Sequence, residues 1–394
     1  MVSNLYPPHV HGGAELYVSR IAEKLSERHS VSVITTKPFG RNGLTDTDEL
    51  VGRNKAIYRF YPLNLYAGYD YARKPGLAKP LWHAIDVWNP HTYAFTKDLL
   101  KREEPDIVHV HNFKGLSASV FSAAHDLGIP VVHTVHDYAL VCPKTTLLTR
   151  ANVFCENPPA PCQVYRWLYK RLDPAVVLAP SEYVLNTLAK FRLFARARKL
   201  KLPLGVAESK PVAKANRGTF DVLYVGRLGR HKGVHSLIKS VRDIGLSNVR
   251  LHIVGQGGDS AHLQHEARSD RRTIFYGFLA PNMLEQLYAI ADVAAVPSIY
   301  PETFGLVIPE YYQRGIPVVG SKTGAIPELI EDGYNGFLFP PGDVAVLTSL
   351  LKKLAFDSML LEDMRKNALL SAGAYSLKVH VQRLEKIYEE TSSG

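Results

Sequence analysis

Two doubly wound α/β halves, each a parallel sheet flanked by helices, are the fold class this sequence predicts, and three observations carry the prediction. At 394 residues the chain exceeds the roughly 250–300 residues at which one hydrophobic core stops growing. Short β-branched apolar runs alternate with amphipathic helical stretches, the pattern of buried parallel strands and their crossovers. The alternation restarts after a polar stretch, Glu208 to Gly218. The expected domains are therefore 1–207 and 208–378, with ligands beyond the carboxyl ends of the strands, in the cleft between the halves.

The elements follow in order. Met1-Val2-Ser3 start a first strand that Tyr6-Pro7-Pro8 cuts short of the usual five or so residues, which leaves open a start upstream of Met1. Gly12-Gly13 precede a helix over Glu15 to Glu27, and Val31 to Ile34 form the next strand. Further helices are predicted over Pro90 to Arg102, Leu116 to Leu127 and, with Ser181 as N-cap, Glu182 to Phe191. Strands at Ile107–Val110 and Val131–Val135 alternate with them. The second set of strands comprises Val222–Val225, Arg250–Val254, Thr273–Tyr276, Val293–Val296 and Pro317–Val319, with helices between.

Composition excludes several classes. Hydrophobic residues make up 46% and charged residues 21%, near globular averages, so a disordered chain is excluded. No run approaches the ~18 apolar residues of a spanning helix, and Met1-Val2-Ser3-Asn4 does not open a signal peptide. Three cysteines and no Asn-x-Ser/Thr acceptor lead us to expect a reducing cytoplasm. The net charge of +10 divides into +8 for residues 1–200 and +2 for 201–394. Such a bias suits nucleic acid, an anionic membrane surface or a phosphorylated ligand, or simply a solvated basic surface.

The chemistry gathers after the strands of the second half. Gly226-Arg227, Gly229 and Lys232-Gly233 follow one strand and precede a helix from Val234. Two cations beside a helix N-terminus form a site for a diphosphate. Farther on, Glu302 and Glu310 flank a turn at Gly305. If 306–314 is helical, one carboxylate faces the loop and the other a ligand lying along the helix. Carboxylates accept from hydroxyls, so a sugar and a ribose are natural partners, with amides over Thr303, Phe304, Gly305 and Leu306 available to phosphate or sugar oxygens.

At these residues the chain resembles the retaining, nucleotide-sugar-dependent glycosyltransferases of family 4, which have the GT-B fold. The resemblance runs over nearly the whole chain. It rests on Glu302-x7-Glu310, Gly226-Arg227 with Lys232, Val254-Gly255-Gln256-Gly257, Tyr276-Gly277-Phe278, Gly324-Ala325-Ile326-Pro327-Glu328 and Gly336 to Asp343. In the first half it rests on Gly12-Gly13-Ala14-Glu15, Pro105 to Asn112 and His133 to Asp137. The resemblance implies that Arg227 and Lys232 hold the donor diphosphate, Glu302 the donor-sugar hydroxyls and Glu310 the ribose diol, with the base near Phe278 and Leu279. Gly13, Gly226 and Gly255 would line the donor site, Gly12, Asn112 and Asp137 the acceptor site, and His136 the anomeric centre. The final helix, roughly 379–391, would pack back on the first domain. Tyr311-Tyr312, Ala325 and Leu204 depart from the family pattern and bear on how the donor sugar fits.

Other signals are set aside. Some members of the family this chain resembles carry a fourth cysteine where Tyr165 stands here, so a four-cysteine zinc site is incomplete; three thiolates with a histidine stay open as an alternative, and for Cys142, Cys155 and Cys162 we expect loop or buried thiols. We expect His109 and His111 to fall on opposite faces of their strand, at most one facing the cleft, and to be structural. Asp46 and Asp48 sit in a polar loop, so no metal site is expected there. Gly255-Gln256-Gly257-Gly258 lacks the dinucleotide fingerprint's third glycine, and there is neither a nucleophile elbow nor a Walker loop.

The expectation is thus a cytoplasmic, retaining, metal-independent hexosyltransferase without cofactor. It would move a hexosyl unit from a nucleoside diphosphate sugar to a saccharide or lipid-linked saccharide, in cell-envelope polysaccharide or glycolipid synthesis, with nucleic acid not a partner. A nucleotide-sugar epimerase and a non-catalytic nucleotide-sugar binding module are the alternatives. Two basic segments, Lys190 to Lys201 and Tyr66 to Trp82 with Arg73, Lys74 and Lys79, raise peripheral docking on an anionic membrane.

Overall fold

The computed structural model of the chain describes residues 1–10, 12–39, 48–66, 78–149, 153–209, 211 and 218–393. Most of the polar stretch 208–218, together with Asp46, Arg73 and Lys74, lies outside the described residues. The chain divides into two compact units. One comprises Met1–Thr145, Asn157–Gly205 and Leu377–Gly394, the other Thr146–Glu156 and Val206–Ser376.

The first unit contains α1 (Gly13–Leu25), β1 (Val31–Thr36), β2 (Asp48–Val51), β3 (Lys55–Phe60), α2 (Lys79–Val87), α3 (Pro90–Glu103), β4 (Val108–Val110), α4 (Ser119–His125), β5 (Val131–Thr134), α5 (Ala160–Tyr169), β6 (Val176–Ala179), α6 (Glu182–Lys190) and β7 (Arg198–Lys201). Strands β4-β5-β6-β7 form a parallel sheet in that order, and β1-β3-β2 a second with β2 antiparallel. Val2 makes parallel bridges to both Ile34 and Val110, so one residue of the short opening segment joins the two sheets. Strands β4, β5 and β6 are buried throughout, as their β-branched composition requires. The Ser181 hydroxyl accepts the Val184 N–H at 3.2 Å and caps α6.

In the second unit the order is β8 (Phe220–Val225), α7 (Val234–Asp243), β9 (Val249–Val254), α8 (Ser260–Ala267), β10 (Thr273–Gly277), α9 (Pro281–Ile290), β11 (Val293–Val296), α10 (Val307–Tyr312), β12 (Val318–Ser321), α11 (Ile326–Leu329), β13 (Gly336–Phe339), α12 (Val344–Phe356) and α13 (Ser358–Ala372). The sheet runs β10-β9-β8-β11-β12-β13, parallel throughout. Its order reverses between β8 and β11, the topological switch point where such sheets open a crevice for ligands. Val222, Ile253, Val293 and Val319 pack with Leu237, Val241, Leu347 and Leu351 from α7 and α12 in one core.

The last helix, α14 (Leu377–Ser392), belongs to the first unit. Its buried His380, Val381 and Leu384 face inward, and the Tyr17 hydroxyl lies 2.6 Å from His380 Nε2. A Cβ at Gly205 would come within 2.6 Å of the His380 Cβ, so glycine there lets the helix sit against the chain.

Candidate active site

In the second unit the loops at the carboxyl edge are laced together through their backbones. Gly226 N–H donates to Val254 O at 3.0 Å, Leu228 N–H to Gln256 O at 3.0 Å and Gly255 N–H to Gly277 O at 2.7 Å. Gly255 has φ +130°, and a Cβ there would stand 1.9 Å from Gly226 O; only glycine permits the loops after β8 and β9 to close on each other. Arg227 is exposed in this framework, and its carbonyl accepts the Tyr224 hydroxyl at 3.0 Å. Beside it is a cavity of about 370 Å³ lined by Leu228, Gly255, Gln256, Gly257, Phe275 and Gly277, among others. Phe278, the next residue after β10, is 81% exposed. Leu279 is half-buried.

Lys232 ends a 3-10 turn, Arg230–Lys232, that leads into α7 and packs on the loop after β11. There Ile299 N–H donates to His231 O at 2.9 Å. Lys232 Nζ donates to Glu302 Oε1 at 2.8 Å. The Ser298 hydroxyl donates to the same oxygen at 2.5 Å, and the Tyr300 hydroxyl to Oε2. Glu302 is 6% exposed. Burial pushes its carboxyl up, but the Lys232 ammonium and the three hydrogen bonds outweigh burial and hold it below the ordinary range. Behind it, Ala325 N–H donates to Glu302 O at 2.8 Å. The sequence motifs around Lys232, Glu302 and Gly324-Ala325 thus meet in one buried charged cluster. Ser298 and Tyr300 were not read from the sequence; their signal is the Ser298-x-Tyr300-x-Glu302 spacing, which sets three side chains at alternate positions of one short loop.

The turn through Thr303, Phe304, Gly305 and Leu306 leads into α10. Phe304 is buried, near the Tyr375 ring, so only its backbone can meet a ligand. Glu310 is half-buried on α10, and its carbonyl accepts from Arg314 at 2.6 Å. The unusual pair Tyr311-Tyr312 points inward: Tyr311 Oη accepts the Val225 N–H at 2.9 Å, and the Tyr312 hydroxyl donates to Leu329 O at 3.1 Å. These bulky residues brace the loop from within and fill the core.

The first unit gathers a different set. Gly12 precedes α1, and its N–H donates to Glu15 Oε2 at 2.8 Å. Asn112 follows β4, its carbonyl accepting Asn4 N–H at 2.6 Å. Asp137 Oδ1 accepts from Ala139 N–H at 2.7 Å. Burial pushes that carboxyl up, the Ala139 and Lys114 contacts pull it back, and Glu15 adds to the rise. His136 follows β5, with its Nε2 3.0 Å from His111 Nδ1. Burial, with His133 and His380 nearby, pushes the His136 imidazole down to about 3.

One expectation is corrected here. The rings of His109 and His111 lie on the same face of the strand, centroids 4.0 Å apart. Side chains alternate along a strand, so residues two apart share a face. His109 is bound inside the unit, to Thr134 at 2.7 Å and Tyr388 at 2.5 Å. Cys142, Cys155 and Cys162 are half-buried thiols outside any disulfide, and no group of three or more metal-ligating side chains gathers among the described residues.

Known proteins share this fold. Residues 206–370 match the family described as glycosyl transferases group 1, and residues 11–207 match glycosyltransferase family 4. A D-inositol 3-phosphate glycosyltransferase of Corynebacterium aurimucosum is 30% identical over 73% of this chain and 72% of its own. Among solved structures, sucrose-phosphate synthase from Thermosynechococcus elongatus is 19% identical, with a TM-score of 0.76 over 96% of this chain and 93% of that one. Anabaena HepE in complex with UDP and glucose is 21% identical, with a TM-score of 0.73 over 98% of both chains. At such identities the structures establish the fold, GT-B, and with the family matches they lead to one conclusion: the chain belongs to the group 1 and family 4 glycosyltransferases and is a glycosyltransferase enzyme.

Proposed function

We propose that the enzyme is a retaining hexosyltransferase that takes its sugar from a nucleoside diphosphate donor and needs no divalent ion. The observation that carries this reading is the Lys232–Glu302 pair at the switch point, with Arg227 in the neighbouring loop. An ionised carboxylate accepts sugar hydroxyls. Two cations supply charge where a leaving diphosphate develops it. Phe278 offers an exposed ring for a base to stack on, and Glu310 an acceptor for the ribose diol. HepE, of the same fold, was solved with UDP and glucose, which favours a donor of this class.

In the proposed step the acceptor oxygen attacks the anomeric carbon on the face from which the diphosphate leaves. The carbon–oxygen bond to phosphate breaks with its electron pair, the new glycosidic bond forms, and the acceptor proton passes to a departing phosphate oxygen. The protein's contribution is to orient both substrates and to stabilise the charge. Activity is expected to survive chelation; if EDTA abolishes turnover and Mg²⁺ or Mn²⁺ restores it, charge neutralisation has been wrongly assigned.

Donor identity is tested by thermal shift and turnover with UDP-, GDP- and ADP-sugars, since a ligand at about 100 times its Kd stabilises by about 2.7 kcal/mol. No shift with any of them sinks the donor class. Turnover of donor without acceptor to an epimer would favour the epimerase, and binding with no turnover of any kind a binding module.

For a lipid-linked acceptor we propose peripheral docking through the first unit. No helix among the described residues is long and apolar enough to cross a membrane. In the basic segment after Lys190, Arg196 lies 3.7 Å from Asp173 and Arg198 2.8 Å from Glu390, so folding brings acids to cations that are acid-free in sequence. The neighbouring helices α2 and α5, joined where His83 packs on Tyr165, supply a better surface. Trp88 and Trp167 are 52% and 54% exposed, with Leu81 and Val164 exposed beside them in sequence. Lys170 and Arg171 follow Trp167, and such a mixture suits an anionic interface. Sedimentation with anionic and neutral liposomes at low and high salt is the test. Failure to bind either under all conditions would leave a soluble acceptor.

A further inference from the structure

We propose that His231 takes up a proton from solvent when a nucleoside diphosphate sugar binds beside Arg227 and Lys232, and so becomes a third positive group for the diphosphate. The inference rests on the donor reading above and adds a residue that reading leaves unused.

His231 is the middle residue of the turn Arg230–Lys232, between the loop that carries Arg227 and the ammonium that meets Glu302. Its carbonyl accepts Ile299 N–H at 2.9 Å and Tyr300 N–H at 3.3 Å, which ties the turn to the loop after β11. Its ring lies against the loop after β8: a Cβ at Gly229 would stand 2.8 Å from His231 Cε1 and 3.1 Å from Nδ1. The ring also meets Tyr300 edge-on, with centroids 5.0 Å apart. It is therefore held between the two loops that carry Arg227 and Glu302. The residue is half-buried, and among the described residues neither ring nitrogen has a hydrogen-bond partner. Gaining a proton breaks no contact.

The charges around the ring are mostly positive. Arg230 and Lys232 flank it in the turn and Arg227 stands in the loop after β8. The loop after β11 presents the Tyr300 hydroxyl and the Glu302 carboxylate, and Lys232 already pairs with that carboxylate at 2.8 Å. Burial pushes the His231 imidazole down to about 4, with Lys232 and Arg227 adding to the fall and Glu302 opposing it. A bound diphosphate reverses the balance, because it brings two negative charges. One unit charge about 6 Å away shifts a pKa by about two units at an effective dielectric of about 20. His231 then returns to the ordinary imidazole range, about 6.5.

The consequence falls on the leaving group. As the bond from sugar to phosphate breaks, its electron pair goes to the diphosphate, whose negative charge grows. A protonated His231 stabilises that change, whereas a neutral one does so far less. When the diphosphate leaves, the proton returns to solvent.

The test is titration calorimetry of the full chain with UDP-, GDP- and ADP-glucose, each in two buffers of different ionisation enthalpy. A diphosphate esterified at both ends has no proton to bind near neutral pH, so any proton counted on binding belongs to the protein. For a donor that binds we expect about 0.7 proton taken up near pH 6 and under about 0.1 near pH 8, with Kd about fourfold tighter at the lower pH. His231→Gln, which keeps a polar side chain and cannot titrate, should bind the same donor without uptake and with a Kd indifferent to pH over that range. Binding to the unaltered protein without uptake near pH 6 overturns the proposal, whatever the variant does to folding, and leaves the donor reading standing. Equal uptake in His231→Gln overturns it too, since the proton then goes elsewhere. If none of the three sugars binds, the donor reading fails and the proposal falls with it.

Discussion

Replacing Lys232 by methionine keeps an unbranched chain one atom shorter and removes its charge, and the consequence falls on Glu302. Lys232 is the largest influence holding that carboxyl low against burial. Without it, a carboxylate only 6% exposed keeps the Ser298 and Tyr300 hydroxyls but no cation. Removing one partner of a buried pair typically costs about 3–5 kcal/mol. The two remaining donors and the option of protonating reduce this, and we expect about 2 kcal/mol near pH 8.

The sign of the pH dependence follows. In the unaltered protein the folded carboxyl lies below its unfolded value, so its contribution is present above the unfolded pKa and lost as pH falls through the folded one. In Lys232→Met burial dominates and the folded carboxyl lies above its unfolded value, so the variant is penalised at high pH and relieved as pH falls. Thermal unfolding should show a Tm deficit of about 4–8 °C near pH 8 for a unit of this size, shrinking toward pH 5. The double variant Lys232→Met with Glu302→Gln should recover much of the deficit, because the amide carries no charge. A deficit independent of pH, or a double variant no more stable than Lys232→Met, would refute the reasoning.

Arg227 is exposed, so Arg227→Ala should leave Tm within about 1 °C and lower turnover by ~10² or more; near-normal turnover would remove it from the site. Glu310→Gln is expected to weaken free nucleoside diphosphate in titration calorimetry, whereas Glu302→Gln should lower turnover and leave that affinity nearly intact. Equal loss of nucleotide affinity in both would show the two roles to be wrong. Gly255→Ala places a Cβ 1.9 Å from the Gly226 carbonyl at φ +130°. We expect at least about 2 kcal/mol of destabilisation, visible in chemical denaturation, and an unchanged midpoint would mean the loops part easily.

The loops after β8 and β11 were legible because their chemistry is local: strand, glycine turn, charged residue, helix. The meeting of Lys232 with Glu302 needed the parallel sheet, which sets the loops after β8 and β11 side by side at the switch point. Ser298 and Tyr300 are harder to see because their one signal, the alternate spacing to Glu302, becomes specific only when the folded loop turns both hydroxyls onto that carboxylate. In the first unit, β7 reads Arg198-Lys199-Leu200-Lys201 and its charges conceal a strand that pairs with β6. The β2 and β3 pair, at Asp48–Val51 and Lys55–Phe60, lies between stretches of helix and has one polar strand, so apolar periodicity alone gave no warning of it. His109 and His111 share a face for a simpler reason: they are two residues apart on one strand.

Strand β7 ends the four-stranded sheet of the first unit, and an edge strand offers a row of backbone donors and acceptors to any passing chain. Lys199 and Lys201 make that edge disfavour a second copy of itself, since pairing two such strands would set like charges opposite one another. The basic run that suggests membrane docking in the sequence therefore also works against edge-to-edge pairing of two copies. Replacing Lys199 and Lys201 with threonine would preserve the strand and remove the repulsion, opening a route to intermolecular β-pairing that leaves the loops around Lys232 and Glu302 untouched.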